Sequence, residues 1–204
     1  TGAMGQIHER ITEAKAERHR FSPAGQSTQV IVGADDTTDA AVLAASDRLY
    51  GRFGLKRVYY SAFSPIPDPS SLLPLSARPL QREHRLYQAD WLLRFYGFTV
   101  DEIAEGGDGG MLDLEADPKL AWALRNRHLF PVDVNRADRA LLLRIPGLGT
   151  KAVAAILKAR RHTALRLQDL GRLTAGLGRA LPFLVAADHR PSTLDRLDLR
   201  ARLV

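Results

Sequence analysis

The segment that decides the fold of this chain is residues 142–156, LLRIPGLGTKAVAAI. Apolar residues at helical spacing lead into a Pro-Gly-Leu-Gly turn, and a second helical pattern begins directly after it. Gly147 and Gly149 lack a Cβ atom, so the backbone can turn tightly and come close to an anion. Free N–H groups at the helix start near Thr150, together with the charge of Lys151, favour a phosphate. The segment therefore predicts a helical hairpin that binds a nucleic-acid backbone without reading its sequence.

The distribution of charge also indicates a polyanionic partner. The chain has 204 residues and a formal net charge of +6. Of its 29 lysines and arginines, 14 lie in residues 135–204, against 5 of its 23 aspartates and glutamates. A basic half of this kind is typical of nucleic-acid-binding proteins, although an arginine-rich solvated surface would give the same count. We expect Lys158, Arg160 and Arg161, which follow the turn, to extend the phosphate-binding surface.

Composition excludes several classes of protein. The chain has no cysteine, which excludes disulfides, thiolate catalysis and an iron–sulfur cluster ligated by this chain. No apolar run approaches the roughly 20 residues of a membrane span, and residues 1–20 lack the apolar centre of a signal sequence. We therefore expect no membrane partner and a cytoplasmic protein that associates with the nucleoid when it binds DNA. With no nucleophile motif or phosphate-binding P-loop, we expect no catalytic residue here.

Upstream of the turn, a strand–helix–strand pattern predicts a small parallel α/β unit. Residues 28–34 are a β-branched run typical of a buried strand, and residues 56–63 predict a second strand. Between them, polar residues offer caps to a helix over residues 40–53. Two parallel strands alone cannot form a stable sheet covered on both faces, so we expect this unit to be a remnant of a larger α/β domain.

These patterns divide the chain into four parts and predict an α+β fold that is mostly helical. Residues 1–80 hold the α/β unit, which ends in a proline-rich connection over residues 64–79. Residues 81–131 form a helical connector, and residues 188–204 form a polar tail. Residues 132–187 form an all-helical hairpin domain. The connector is predicted to place four apolar residues in the core: Leu86, Trp91, Leu92 and Phe95.

Within the hairpin domain, two further features are predicted. Asn135 can cap the first hairpin helix, with Asp138 as a box-like partner three residues later. Residues 174–180, TAGLGRA, echo residues 145–151, IPGLGTK, with Ala175 in place of proline. We interpret the echo as a degenerate second hairpin that packs on the first; the alternative is a helical cap without DNA contact.

Residues 135–161 resemble a helix-hairpin-helix DNA-binding motif. The match covers the hydrophobic-Pro-Gly-hydrophobic-Gly turn, the apolar positions on both sides and the basic residues that follow. The resemblance implies a monovalent cation held by the backbone carbonyls of Ile145 and Leu148, with no side-chain metal ligand. It also implies DNA-backbone contacts at eight residues: Gly147, Leu148, Gly149, Thr150, Lys151, Lys158, Arg160 and Arg161.

A wider resemblance covers the upstream segments, residues 20–34, 57–63, 82–97 and 117–125. They resemble the late barrel region of a radical S-adenosylmethionine family of DNA modification or repair proteins. Members of this family end in a helix-hairpin-helix domain and are typically encoded near a uracil-DNA-glycosylase-like protein. The resemblance implies a partial barrel. It also implies that the chain is either a C-terminal fragment of a longer radical enzyme, which the incomplete α/β unit favours, or a relative that has lost the chemistry. The parent's three-cysteine motif, [4Fe–4S] cluster and S-adenosylmethionine site would then lie elsewhere, because this chain has no cysteine.

In such a parent, Gly33 lies at the carboxyl end of the first strand, where parallel sheets bind ligands. Gly33 could then admit a nucleoside cofactor with Gln29 and Asp35 as polar contacts; the alternative is that Gly33 turns the chain and Asp35 caps a helix. Expected partners are DNA, the other half of the barrel, the glycosylase-like protein and a second copy of the chain. We favour sequence-tolerant DNA binding. The alternatives are a protein-interaction or dimerisation module and a nucleotide-binding or S-adenosylmethionine-binding fragment.

Overall fold

The structure is a computed structural model that describes residues 2–65, 73, 80–105, 107–192 and 198–204. These residues are mostly helical, with ten α-helices and two two-stranded parallel sheets, which confirms the predicted mostly-α class. None of the described helices is long and apolar enough to cross a membrane. The chain divides into two compact units. The first is Thr1–Asp90 with Gly107–Leu112, and the second is Trp91–Gly106 with Asp113–Val204.

The first unit contains the predicted strand–helix–strand arrangement. Its elements are α1 (Gly2–Ala16), β1 (Ser27–Val32), α2 (Asp39–Phe53), β2 (Arg57–Ala62) and the first part of α3 (Leu80–Tyr96). The two strands are parallel, with Ser27 opposite Arg57 and Val32 opposite Ala62. The Thr38 side chain caps the start of α2, and Gly54 ends that helix in a left-handed conformation. Of the predicted proline-rich connection, residues 66–72 and 74–79 lie outside the described residues.

The prediction that β1 is buried is wrong. Only Val32 is buried in this strand, whereas Ile31 is 50% exposed and Tyr59 of β2 is 44% exposed. On α3, Leu86 and Leu92 are buried as predicted, but Trp91 and Phe95 are exposed and their rings contact each other. A β-branched run or a helical period indicates which side chains share a face, but not whether another element covers that face.

Side chains close the outer edge of β2. Three backbone N–H groups of the strand donate to side chains at 2.8 to 3.0 Å: Val58 to Tyr50, Tyr60 to Tyr87 and Ala62 to Glu83. A further strand could pair along this edge only by displacing these side chains.

Two buried carboxylates of the first unit have structural partners. Asp39 pairs with Arg82 at 2.6 Å and accepts the N–H of Leu112 at 2.9 Å. The Asp90 carboxylate accepts hydrogen bonds from the hydroxyl groups of Tyr50 and Tyr60. Burial raises the pKa of Tyr60. These groups hold the fold together, as expected for buried polar groups that are fully hydrogen-bonded.

The second unit contains two helical hairpins. Its elements after α3 are α4 (Val100–Ala104), α5 (Pro118–Arg125), β3 (Val132–Asp133), α6 (Arg139–Arg144), α7 (Thr150–Ala159), α8 (Leu167–Leu173), α9 (Leu177–Ala180), β4 (Leu184–Val185) and α10 (Leu199–Leu203). The hairpin region is not all-helical as predicted, because β3 and β4 form a short parallel pair. This pair ties the entry of α6 to the exit of the second hairpin. Leucine, isoleucine, valine and phenylalanine side chains fill the core between the hairpins: Leu142, Leu143, Ile145, Leu148, Val153, Ile156, Leu165, Leu170 and Phe183.

The start of the first hairpin differs from the prediction for Asn135. The N-cap of α6 is Asp138, whose carboxylate accepts the N–H of Leu141 at 2.7 Å. The Asn135 side chain instead pairs with the backbone of Leu165, accepting its N–H at 2.8 Å and donating to its carbonyl at 3.2 Å. Asn135 therefore joins the beginnings of the two hairpins, because its side-chain amide pairs with both backbone groups of Leu165 in the way that a backbone peptide of an adjacent strand would.

Candidate nucleic-acid interface

The turn between α6 and α7 is the candidate phosphate site. Gly147 has a φ angle of +83°, a left-handed conformation that favours glycine. The N–H of Leu148 donates to the Ile145 carbonyl at 3.2 Å and closes the turn. The Leu148 side chain is buried, so only the backbone of this residue is available to a ligand. Thr150 and Lys151 follow directly, as predicted, at the start of α7.

Gly147 is also required where the two hairpin turns pack against each other. A Cβ atom on Gly147 would lie 2.3 Å from the carbonyl oxygen of Gly176, and a Cβ atom on Gly176 would lie 2.3 Å from that of Gly147. The Thr174 hydroxyl donates to the Gly147 carbonyl at 3.0 Å. The close packing of the two hairpins thus explains why position 147 is a glycine, and no bound ligand is needed to explain it.

Helix α7 begins without a side-chain cap. Its N-cap is Gly149, whose φ of −90° and ψ of 169° are open to any residue. The first three N–H groups of α7 have no acceptor within the helix, because its first hydrogen bond runs from Val153 to Gly149. By contrast, α2, α4, α5 and α6 are each capped by a side chain, those of Thr38, Thr99, Asp117 and Asp138. The start of α7 therefore presents donors and the positive end of a helix dipole.

The predicted basic residues differ in their surroundings. Lys151 and Lys158 are exposed and lie seven residues apart on α7, and Arg161 is exposed beyond its end. The Nη1 group of Arg160 donates to the carbonyls of Val134 and Ala137 at 3.0 and 2.6 Å. Arg160 is therefore tied to the loop before α6, which leaves the other three as the more accessible cations.

A lysine from α5 lies beneath the turn. Lys119 is 8% exposed, and its Nζ donates to the Leu148 carbonyl at 2.6 Å. The same ammonium lies 4.8 Å from the centre of the Tyr96 ring. Burial lowers the pKa of Lys119 to about 7; Asp117 opposes this shift. The sequence predicted this residue only as part of the helical connector over residues 81–131, because its partner lies 29 residues further on.

Arg144, the last residue of α6, fixes the hairpin to the chain that follows α3. Its guanidinium pairs with the Glu102 carboxylate at 2.8 Å and donates to the carbonyls of Tyr96 and Gly97. It also lies 3.8 Å from the centre of the Phe98 ring. With a side chain only 13% exposed, Arg144 supports the turn from behind.

The residues do not fit the monovalent cation that the helix-hairpin-helix resemblance implies. The Leu148 carbonyl accepts the ammonium of Lys119, and the Ile145 carbonyl accepts the N–H of Leu148. A metal cation bound to the Leu148 oxygen would meet the positive charge of Lys119 beside it. Among the described residues, no group of three or more His, Cys, Asp or Glu side chains could hold a metal ion either.

The residues predicted to contact a cofactor lie in the first unit and are used by local structure. Gly33 follows β1 with a φ of +85°. The Asp35 carboxylate accepts the N–H of Thr37 at 2.9 Å, and hydrogen bonds from Thr37 hold its pKa below the usual value. Gln29 donates to the Ser61 hydroxyl on β2 at 2.7 Å. These contacts close a turn and join two strands, and a cofactor role stays a prediction.

No family model matches this chain, and the curated proteins and solved structures include no significant match.

Proposed function

We propose that the second unit binds the DNA backbone, without base specificity, as a helix-hairpin-helix motif whose contact surface is the start of α7. The observation that carries this proposal is the uncapped start of a ten-residue helix beside an exposed lysine. Helix starts of this kind attract phosphate because their N–H groups and dipole both favour an anion.

The surroundings of the helix start support a phosphate partner. Lys151 adds an exposed point charge next to the free N–H groups, and Lys158 on α7 and Arg161 beyond its end continue the positive surface. The turn itself is held rigidly by Arg144, Lys119 and the contact between Gly147 and Gly176. Donors that are fixed before binding lose little entropy when the phosphate arrives.

The same geometry favours binding that does not depend on base sequence. The Leu148 side chain at the tip of the turn is buried, so the turn offers backbone groups to a ligand. Phosphate contacts position a protein on DNA but carry no sequence information. We therefore expect similar affinity for unrelated DNA sequences of equal length.

We further propose that the chain is the C-terminal part of a radical S-adenosylmethionine DNA modification or repair protein. This part of the proposal rests on the resemblance of residues 20–34, 57–63, 82–97 and 117–125, with the strand–helix–strand unit as part of a barrel. Ile31 and Tyr59 are exposed on the sheet, which agrees with a unit whose sheet is covered by another part of the parent protein. The cluster and cofactor would supply radical chemistry in the parent, and Gln29, Gly33 and Asp35 would contact the cofactor. An upstream reading frame with a CxxxCxxC motif is the expected result, and a frame without cysteine ligands would contradict this parentage.

The DNA-binding proposal is tested by the salt dependence of affinity for random duplex DNA. We expect Lys151→Met to weaken binding uniformly across sequences and to reduce the slope of log K against log salt by about 0.9, the value for one phosphate contact. Arg172→Met is the matched control, because it removes an exposed charge from α8 instead of α7. If the wild type fails to bind DNA, or if Lys151→Met and Arg172→Met have the same effect, the proposal is wrong. Self-association without DNA binding would favour the dimerisation alternative.

A further inference from the structure

Lys119 lies behind the proposed phosphate site, where its side chain is buried against the turn. Its ammonium is hydrogen-bonded to the Leu148 carbonyl at 2.6 Å. That carbonyl and the N–H of Gly149 belong to the same peptide group, and Gly149 is the N-cap of α7. Lys119 therefore binds the carbonyl oxygen of the same peptide group whose N–H belongs to the N-cap residue of α7.

A cation at the oxygen of a peptide changes the properties of its N–H. Hydrogen bonds in series polarise one another, so an acceptor bond to the Leu148 oxygen strengthens the Gly149 N–H as a donor. A charge in the protein interior is also screened less than a charge on the surface. Both effects make the start of α7 more attractive to an anion.

Among the described residues, the charged groups around Lys119 do not include a carboxylate that forms a salt bridge with its ammonium group. Asp117 is the carboxylate that favours its proton, but Asp117 also pairs with Arg179. Arg144 and Arg179 both repel the ammonium. The direct contacts of Lys119 are a neutral carbonyl and the Tyr96 ring. Among the described residues no carboxylate lies within salt-bridge distance of Nζ, so a phosphate at the helix start would complement this charge.

We propose that Lys119 is a positioning residue of the phosphate site, holding the Leu148–Gly149 peptide from behind and placing a buried positive charge under the bound phosphate. This inference rests on the proposed DNA binding by α7. It assigns to the lysine an effect on affinity without any contact with DNA.

The test compares wild type and Lys119→Met at pH 6.5, below the pKa of about 7, where the ammonium carries its proton. We expect about a tenfold loss of affinity for random duplex DNA with an unchanged salt slope, because Lys119 touches no phosphate. The ¹⁵N resonance of the Gly149 amide should move upfield, since its peptide loses a charged hydrogen bond, while the amides of α8 stay in place. An unchanged Gly149 resonance or unchanged affinity would overturn the proposal.

A measurement on the wild type keeps the proposal testable if Lys119→Met does not fold. Binding of an anion beside the ammonium favours its charged form, so DNA should raise the pKa of Lys119, followed by its ¹³Cε resonance. If the pKa of Lys119 is the same with and without DNA, the inference is contradicted.

Lys151→Met separates this inference from the proposed function. That variant should reduce the salt slope and leave the Gly149 resonance of the free protein unchanged. Weaker binding in Lys151→Met but not in Lys119→Met would overturn the role of Lys119 and leave DNA binding by α7 standing. A wild type that does not bind DNA would overturn both.

Discussion

The two glycine turns of the second unit have nearly the same sequence but different surroundings. Residues 146–149 lead into α7, which has ten residues and an uncapped start. Residues 175–178 include the first two residues of α9 (Leu177–Ala180), which has only four residues. A single turn of helix has too small a dipole and too few free N–H groups to make an anion site comparable to the one proposed at α7. The Gly-Leu-Gly pattern thus does not by itself distinguish the turn proposed to bind phosphate from a turn that serves packing.

Charge distinguishes the turns as well. At the second turn, the N–H of Gly176 donates to the Thr174 hydroxyl, and Arg179 pairs with Asp117. At the first turn, Lys119 donates to the Leu148 carbonyl and Lys151 is exposed. At the second turn the Gly176 N–H and the Arg179 guanidinium are thus used by the fold, while at the first turn Lys151 is exposed and the first N–H groups of α7 have no acceptor within the helix.

The largest expected difference between the turns concerns the arginines that hold them. Arg144→Met removes a partly buried guanidinium from Glu102 and two carbonyls, and should lower the free energy of unfolding by about 3 kcal/mol. Arg179→Met removes a pair whose arginine is 55% exposed, and should cost under about 1 kcal/mol. Both tryptophans, Trp91 and Trp122, lie in the second unit, so urea unfolding followed by their fluorescence measures this difference. Equal losses would show that the first turn is not held by Arg144.

An effect of similar size is expected where the turns touch. Gly176→Ala should lower stability by about 1–3 kcal/mol, because its Cβ would overlap the Gly147 carbonyl. Gly147→Ala should cost about 1–2 kcal/mol more, because its φ is also left-handed. Gly178→Ala is the control, since its Cβ would meet no atom within 4 Å. Thermal unfolding of the three variants checks the order, and a neutral Gly176→Ala would contradict the close packing of the turns.

The dependence of stability on pH should report the lysine under the first turn. Burial lowers the pKa of Lys119 from 10.5 to about 7 in the folded protein, so the unfolded chain holds one more proton between these values. The free energy of unfolding should therefore rise with pH across this window, by at most about 1.4 kcal/mol per pH unit. Lys119→Met should lack this rise between pH 7 and pH 9, as measured by urea unfolding at each pH. Parallel profiles for the two proteins would mean that Lys119 is not buried in solution.

The sequence predicted the local elements well, since their signals are local. The strand–helix–strand order, a capped helix over residues 40–53 and a helix start near Thr150 follow from hydrophobic period and cap chemistry. The cap of α6 was assigned to Asn135 because both Asn135 and Asp138 are good caps, and only the structure shows that Asn135 pairs with Leu165.

The supports of the site could not be predicted, because they join residues far apart in the chain. Lys119 contacts a carbonyl 29 residues away, and Arg144 pairs with a glutamate 42 residues away. No periodicity or motif encodes such pairs. The exposure of Ile31 and Trp91 was missed for a related reason, since burial depends on neighbours that a local pattern does not specify.

The most direct test of the central claim places a new cap on each turn. The backbone at Gly149 suits an N-cap, so Gly149→Asp should bond the free N–H groups of α7 and raise stability by about 0.5 kcal/mol. The same carboxylate would occupy the phosphate site, so affinity for random duplex DNA at 0.15 M salt should fall at least about tenfold. Gly178→Asp adds an equal charge at the second turn and should leave the affinity within about twofold of the wild type, because screening limits its reach to about 8 Å. Equal losses of affinity in the two variants, or wild-type affinity in Gly149→Asp, would contradict DNA binding by the start of α7.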